Sequence, residues 1–463
     1  GGIGRPNPRD ISNIVIAQPG PIPNTVKGSD FIWQWGQFLD HDLDLAPGAS
    51  PHEPFDIEVP IGDPFFDPFS TGTEVIPLER SAYNVVAGVR QQINALTAYV
   101  DASNVYGSDT ARALELRTLD GTGRLKTSAG DLLPFNVNGF PNAPSTDPSF
   151  FLAGDVRANE QVGLAAMHTL FVREHNFWAS SIHFLAPWLS DDEVYENARV
   201  IVSAEIQAIT YREFLPVVLG KNGLSKYKGY DASVNAGIAN VFATASYRFG
   251  HSMLSPQLLR LDANNQSIPA GPLSLAASFF NPQELVTNGI DPLLRGLSQQ
   301  KAQNVDSFIV DEVRNFLFGP PGAGGFDLAS LNIQRGREHG LASFNQVRVD
   351  YGLPAYTSFA QVNPDPDVQA RLAAAYATVD DVDPWVGGLS EAQVPGALVG
   401  ETLRAVLGDQ FERLRDGDRF YYESYLPQPL VALINTQTLS RIIRRNTGIG
   451  NELQPNAFKV KGN

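Results

Sequence analysis

The stretch FIWQWGQFLDHDLDL (residues 31–45) sets His41 between Asp40 and Asp42, with Gln37 just before and Asp44 just after. The chain has 7 histidines. One placed in a dense aromatic and acidic run is a candidate for proton transfer, work suited to an imidazole that titrates near neutrality. On a helix Gln37 and His41 share a face, and Asp40 projects about 100° from His41. A surface helix has no need of that mixture, whereas the wall of a buried cofactor site does. A lone histidine on a half-apolar helix is more often a core residue, so the reading depends on companions elsewhere.

Three further clusters, the last drawn from two segments, could supply them. In LTAYVDASNVYGS (96–108), Thr97, Tyr99, Asp101 and Ser103 alternate. An extended backbone turns them to one side, and hydroxyls, a carboxylate and backbone carbonyls are hard oxygen ligands suited to Ca²⁺, with Asp42 a candidate second carboxylate. The same ladder also reads as a strand with a polar face leading into a turn at Gly107. In GDVRANEQVGLAAMHTLFVREHN (154–176), Arg157 and Glu160 stand at a helix start. They read either as a terminal charge pair worth a few tenths of a kcal/mol or as an arginine aimed into a cavity to stabilise developing negative charge. His168 and His175 follow without forming HExxH, which removes a zinc-protease reading. In SYRFGHSML (246–254), Arg248 and His251 share a helical face, and Gly250 leaves room for a flat group. In LNIQRGREHGL (331–341), Asn332 could accept the second N–H of a metal-ligating His251. Arg248 and Arg335 could pair with a ligand's carboxylates.

These residues need a scaffold. At 463 residues and 43% hydrophobic the chain can bury a large core. The 33 prolines and 41 glycines imply many loops, with 45–78 and 127–150 the long irregular ones and FGPPGAGGFD (318–327) a tight turn. Helices are predicted over 159–185, 190–215, 240–254 and 396–415. The second opens on Ser190 and Glu193 at capping-box spacing. Strand signals are few, so the fold class is mainly α, in one domain with functional loops. A net charge of −16 argues against nucleic-acid binding and anionic membranes. No run is apolar enough to span a bilayer. With no cysteine, disulfides, thiolate metal sites and CxxCH attachment are excluded. The start, GGIGRPNP, lacks Met and reads as a processed or trimmed form.

Taken together, WGQFLDHDLD, LTAYVDASNVYGS, RANEQ…HTLFVREHN, YRFGH and LNIQRGREHG resemble, in order, the signature segments of the animal-type haem peroxidases of the peroxidase–cyclooxygenase superfamily. FERLRDGDRFYYE and LSRIIRRNTGI add matches, and the likeness runs from about residue 5 to 459. It implies a single large haem-containing helical domain over 1–463. By that resemblance His41 is the distal acid–base histidine, Gln37 the distal glutamine, Arg157 the distal arginine, His251 the axial iron ligand and Asn332 its hydrogen-bond partner. Asp40 and Glu160 match the carboxylates that form esters to haem b, and Gln161 replaces a Met that makes a third link in one mammalian member. Asp42, Thr97, Tyr99 (through its carbonyl), Asp101 and Ser103 match the calcium site. Arg248 and Arg335 match residues near the propionates, with Asp44 close by.

The implied activity is reduction of H2O2 through an oxoferryl haem, followed by oxidation of halides or thiocyanate (bromide, iodide) or of phenols. The lack of disulfides resembles the shorter bacterial or other microbial members. A secreted monomer is expected. Two rivals remain: a fatty-acid dioxygenase of the same superfamily, and a binding or adhesion protein without catalysis. The first would carry a radical-forming Tyr where Arg248 stands. The second loses weight because the distal residues are intact and no RGD is present. A catalase would need an axial Tyr in place of His251. His52, His175, His183 and His339 are read as solvated or structural.

Overall fold

In the computed structural model, which describes residue 2 and residues 4–461, the helix Phe31–Leu43 (α1) is buried on nearly every face. Phe31, Ile32, Trp35, Phe38, Leu39 and Leu43 expose nothing. A helix buried on nearly every face belongs in an interior, and its polar Gln37, Asp40 and His41 turn to a cavity there. Phe38 stacks on Phe171 with centroids 5.0 Å apart, and Trp35 also packs on Phe171 and Phe458. These rings set α1 against Val162–Leu185 (α2). Emptying the Trp35 site would cost about 3–5 kcal/mol. The predicted start at 159 is moved to 162, because Gln161 caps α2 by accepting the Gly163 N–H.

Asp191–Ile209 (α3) opens on the predicted capping box, with the Ser190 and Glu193 side chains each taking the other's backbone N–H. It lies along α2 in the most extensive helix–helix contact of the fold. Beyond it the backbone widens into a π turn over Thr210–Phe214, and Thr210 Oγ1 accepts the Trp35 indole N–H at 3.3 Å.

The single helix predicted over 240–254 is two pieces. An α turn, Asn240–Thr244, stops at Ala245 (φ −129°, ψ −64°), and a 3₁₀ helix follows over Ser246–Met253. Arg248 Nε donates to the Ala243 carbonyl and the Ser252 hydroxyl to the Phe249 carbonyl, so side chains occupy acceptors an α-helix would use. At three residues per turn, Arg248 and His251 eclipse one another. They share a face more strictly than an α-helix allows.

Leu328–Glu338 (α4) is capped by Asp327, which accepts the Ala329 and Ser330 N–H groups, and it carries Asn332 and Arg335. Glu401–Asp416 (α5) backs the 3₁₀ helix: the Phe411 ring lies 5.6 Å from those of both Phe242 and Tyr247. It starts later than predicted because Gly400 bridges to Gln393. Among the described residues, strand is confined to three two-stranded antiparallel ribbons: Ile57–Glu58 with Val75–Ile76, Tyr83–Val86 with Val89–Gln92, and Gln257–Leu258 with Leu273–Ser274. The fold is mainly α around one extended core. No described helix is long and apolar enough to cross a membrane.

Candidate active site

A cavity of about 650 Å³ opens between α1, the turn before α2, the 3₁₀ helix and α4, within the size range of cofactor sites. Gln37, Asp40, His41 and Asp44 reach it from α1 and its C-cap, and Arg157 and Glu160 from the turn. Arg248 and His251 enter from the 3₁₀ helix, and Asn332 and Arg335 from α4. Three sequence clusters thus converge on one space. A Cβ added to Gly36 or Gly250, both in its wall, would meet nothing nearer than 3.9 Å.

The distal wall is cross-braced. Gln37 Nε2 donates to Glu160 Oε2 at 3.1 Å, while its Oε1 accepts from Gln161 Nε2 at 3.1 Å. Gln161 Nε2 also donates to Gln34. His41 Nε2 lies 3.8 Å from Glu160 Oε2. Burial first, and then Arg157, hold the His41 imidazole well below its usual range, so it is neutral. Burial pushes the Glu160 carboxyl up to about 7. Burial also raises Asp40 against the pull of Arg157, and raises Asp44, which lies against Asp40.

The expected Arg157–Glu160 pair is not the main contact. Residues 154–160 form a turn before the helix, and Arg157 forks onto Asp155, Nε to Oδ1 at 2.9 Å and NH2 to Oδ2 at 3.0 Å. Its NH2 also reaches the Asp44 carbonyl at 3.0 Å. Asp155 is the residue that sequence reasoning missed. Its Oδ1 lies 3.4 Å from His41 Nδ1, close enough for attraction but without an aligned hydrogen bond. Burial alone would raise Asp155, yet Arg157 overcomes this and holds it below the usual carboxylate range. One carboxylate therefore faces both distal groups. The available signal was GD two residues before Arg157. Gly154 is required there, because a Cβ would strike the Ser103 and Asn104 carbonyls at 2.6 and 2.5 Å. The turn is pinned to that segment by Asp155 N–H donating to Asn104 O at 3.1 Å.

On the opposite wall, His251 Nδ1 meets Asn332 at 2.8 Å, but with the polarity reversed from expectation: the Asn332 NH2 group faces the imidazole. The reason is Arg248, whose NH1 donates to Asn332 Oδ1 at 3.0 Å. Burial first, then Arg248, lower His251 to about 3, leaving a neutral imidazole. Arg335 donates to the Glu79 carbonyl, Ser81 and Glu338. His339 bonds Ser81 and Asn240 and helps line the cavity.

The oxygen ladder is a loop rather than an extended strand. Ala98 and Ala102 take left-handed conformations (φ 61° and 66°), and Ser103 starts a short helix. Convergence comes from the fold instead of from alternation. Ser103 Oγ donates to Asp42 Oδ1 at 2.7 Å, and the Asp101 and Ala102 N–H groups to Asp42 Oδ2 at 3.0 Å. Thr97 Oγ1 contacts Asp101 at 3.1 Å and Ser103 at 3.4 Å. Tyr99 sits half-buried in the same loop with no hydrogen bond to the others. Burial, and then Asp101, push Asp42 well above its usual range. Two carboxylates crowded in this way fit a divalent cation. Among the described residues no group of three or more His, Asp or Glu side chains is arranged to hold a metal ion, so hydroxyls and carbonyls would complete the set.

Of the two long irregular segments, 45–78 borders the cavity through Leu45, Ala46 and Leu78, and 127–150 contributes nothing to its lining. The latter folds on itself, with Asn136 bonded to Phe140 and Phe135 stacked on Phe151. Phe279 and Phe318, packed at 5.2 Å, stand in the wall instead.

The family model "Animal haem peroxidase" matches residues 2–458. The chain belongs to the animal haem peroxidase family. It is 40% identical to the eosinophil peroxidase of Mus musculus over 95% of this chain and 67% of that protein. The solved structure of peroxidase A from Dictyostelium discoideum superposes with a TM-score of 0.93 at 36% identity, over 98% of this chain and 91% of that one. An Oryza sativa fatty acid alpha-dioxygenase superposes at 0.83 with 21% identity, over 98% and 81% of the two chains, a likeness of fold alone. The chain is a haem peroxidase, an oxidoreductase. The residues present fit haem: a cavity large enough, a neutral imidazole in one wall, and Arg248 and Arg335 for carboxylates. Against the dioxygenase reading, the position three before His251 holds Arg248.

Proposed function

We propose that this haem peroxidase reduces H2O2 at the wall formed by His41 and Arg157 and passes the oxidising equivalents to small anions (bromide, iodide, thiocyanate) or phenols. The observation that carries this is the convergence of neutral His41 and a charged arginine on one cavity wall, opposite His251. Bound haem supplies the redox-active iron that takes peroxide. His41 accepts a proton from the near oxygen of H2O2 and returns it to the far oxygen, which leaves as water. Arg157 cannot lose its proton and stands as a fixed positive partner for the polarising O–O bond. Asp155 orients both groups, and Gln37, fixed by Glu160 and Gln161, holds water or halide beside them.

His251 is assigned as the residue that would hold the haem iron. Ligation through Nε2 needs the proton on Nδ1, so Asn332 must present its carbonyl, the reverse of its present state. That turn releases Arg248, which with Arg335 and the nearby Asp44 then serves the propionates. Asp40 and Glu160, carboxyls raised by burial in the wall, are assigned as the ester-forming groups. Asp42, Thr97, Tyr99, Asp101 and Ser103 are assigned to Ca²⁺. Asp42 follows His41 directly, and the Asp155 turn is pinned to Asn104, so calcium braces both distal groups. Stringent chelation is expected to disturb haem absorption and activity together; full activity in metal-free protein would refute the assignment. By likeness to the family we infer that the protein works outside the cell, and a monomer is the default expectation.

The test is an absorption spectrum of the haem-loaded protein after one equivalent of H2O2, then bromide. Direct return to the resting spectrum on bromide supports two-electron halide oxidation. Return only with a phenol makes it a one-electron peroxidase. No change on adding peroxide would defeat the reading.

A further inference from the structure

A row of buried and half-buried aromatic rings leads away from the haem cavity. It starts at Tyr247, which lies on the 3₁₀ helix that carries His251 and lines the cavity. The Tyr247 ring is 5.6 Å from Phe411 of α5. Phe411 is 6.3 Å from Tyr211 in the π turn, and the Tyr211 hydroxyl donates to the Phe411 carbonyl at 2.8 Å, which holds the two rings together. Tyr211 is 5.4 Å from Tyr421, and Tyr421 is 5.0 Å from Tyr422. Centroids about 4.5–7 Å apart are ordinary for packed rings, so spacing alone gives the row no task. What sets it apart is its two ends, one in the cavity and the other against an exposed carboxylate.

The Tyr422 hydroxyl donates to Glu423 Oε1 at 2.9 Å and also reaches Asn435 Oδ1 at 2.7 Å. Of the two acceptors only the carboxylate can take up a proton. Glu423 is exposed, so it exchanges that proton with water. Tyr422 itself is fully buried, and its backbone N–H is held by Gln207 at 2.8 Å. A phenol gives up an electron readily only when its proton leaves as well. The earlier tyrosines of the row offer no such exit: the Tyr247 hydroxyl is buried without a partner, and that of Tyr211 faces a carbonyl. Tyr227, a branch 4.8 Å from Tyr421, also has a buried hydroxyl without a partner. Other tyrosines have a proton acceptor and lack the row. Tyr106 pairs with His175 and packs on Tyr195. Tyr376 donates to Asp383, which is buried between Arg5 and Arg337. Tyr83 donates to Glu53, which Arg90 holds. Among the described residues none of these three packs ring to ring on the row.

We propose that Tyr422 is a second site of one-electron oxidation, remote from the haem cavity, for phenolic groups on molecules too large to enter it. An electron passes from Tyr422 through Tyr421 and Tyr211 to Tyr247, with Phe411 as a bridge that is not itself oxidised, and on to the haem that peroxide has oxidised. The Tyr422 hydroxyl proton moves to the Glu423 carboxylate. The tyrosyl radical then takes an electron from the donor phenol, whose own proton goes to water, and the proton on Glu423 returns to Tyr422. Two such passages use the two oxidising equivalents of one H2O2. Phe420 and Tyr425, 5.5 Å apart and 55% and 39% exposed, flank Tyr422 in the chain and give a donor ring a surface to stack on. The inference rests on the peroxidase reading and adds the place where bulky donors are served.

The test is freeze-quench electron paramagnetic resonance of the haem-loaded protein after one equivalent of H2O2 without donor, with haem absorption recorded on the same sample. The expected result is a protein radical whose hyperfine structure narrows when ring-deuterated tyrosine is incorporated. It is lost in Tyr422→Phe, falls in Glu423→Gln, forms more slowly in Phe411→Leu and persists in Tyr376→Phe. A phenol linked to dextran, added next, is expected to discharge it. Glu423 lies on the surface, so Glu423→Gln gives an answer even where a core variant fails to fold. An oxidised haem with no tyrosyl signal would overturn the site alone. So would a signal that survives Tyr422→Phe, one unchanged in Glu423→Gln, or one that the dextran-linked phenol leaves untouched. An unchanged haem spectrum would overturn the peroxidase reading and the site with it.

Discussion

Arg9 and Arg157 are both buried among carboxylates, and the difference between them separates a residue that holds the fold from one that does chemistry. Arg9 has no exposed surface. Its Nε and NH2 fork onto Asp63 at 2.7 and 3.1 Å, its NH1 meets Asp327 at 2.7 Å, and its NH2 also meets Asn315 at 2.8 Å. The acids are satisfied in turn: Asp63 accepts the Phe65 and Phe66 N–H groups, and Asp327 caps α4. Arg157 is fixed along one edge by Asp155, while its NH1 makes no hydrogen bond and has only Asp40 at 3.7 Å. His41 Nδ1 and Asp44 Oδ2 nearby are also unpartnered. Where charge serves the fold, every donor is used. Where it serves a ligand, some capacity is left facing the cavity.

The sharpest break between the two regions is expected in rate. His41→Ala should slow the reaction with peroxide by about 10²–10⁴, read by stopped flow, with folding unchanged. The mirror experiment is Arg9→Met, which leaves Asp63 and Asp327 buried without their cation. It should cost about 3–5 kcal/mol in chemical denaturation, while the folded fraction turns over normally. A deep rate defect in folded Arg9→Met would erase the distinction. Asp155→Asn probes the boundary, since Asp155 is both a buried partner and an orienter. A rate loss of about tenfold is expected, the lower end of what removing an orienting partner of a functional imidazole costs; no change would mean His41 and Arg157 need no such support.

The smallest effect is on pH. Glu160 has its pKa raised from 4.5 to about 7 by burial. A raised acid contributes stability that is present below its unfolded pKa and lost as pH rises through the folded one. Cofactor-free wild type should therefore lose stability relative to Glu160→Gln between about pH 5 and pH 8, by about 1–2 kcal/mol after allowing for solvent at the partly exposed carboxyl. Urea curves at both values check this, and a constant difference between the proteins would contradict it.

The parts legible in sequence were those fixed by local period. Gln37 and His41 follow from helical spacing, and the Ser190–Glu193 cap from a local pattern. The rest depends on chain crossings. Asp155 matters because residues 154–160 dock on Asn104, and no period announces that. The calcium-type oxygens converge through two left-handed alanines, where the alternating pattern suggested a strand. The break at Ala245 and the reversed Asn332 amide both follow from what Arg248 bonds, and its partners Ala243 and Asn332 lie on different elements. Three of the signature clusters were readable as candidates for one cavity, but the bonds that orient them were not.

The central claim is that His41 performs the proton transfer in peroxide reduction within the cavity that His251 also lines. The most direct measurement mixes haem-loaded wild type and His41→Ala with one equivalent of H2O2 and follows haem absorption in time. The account predicts a rapid change in the wild type and one slower by about two orders of magnitude or more in the variant, with the resting haem spectra alike. Equal rates would show that proton transfer runs without His41 and would contradict the account.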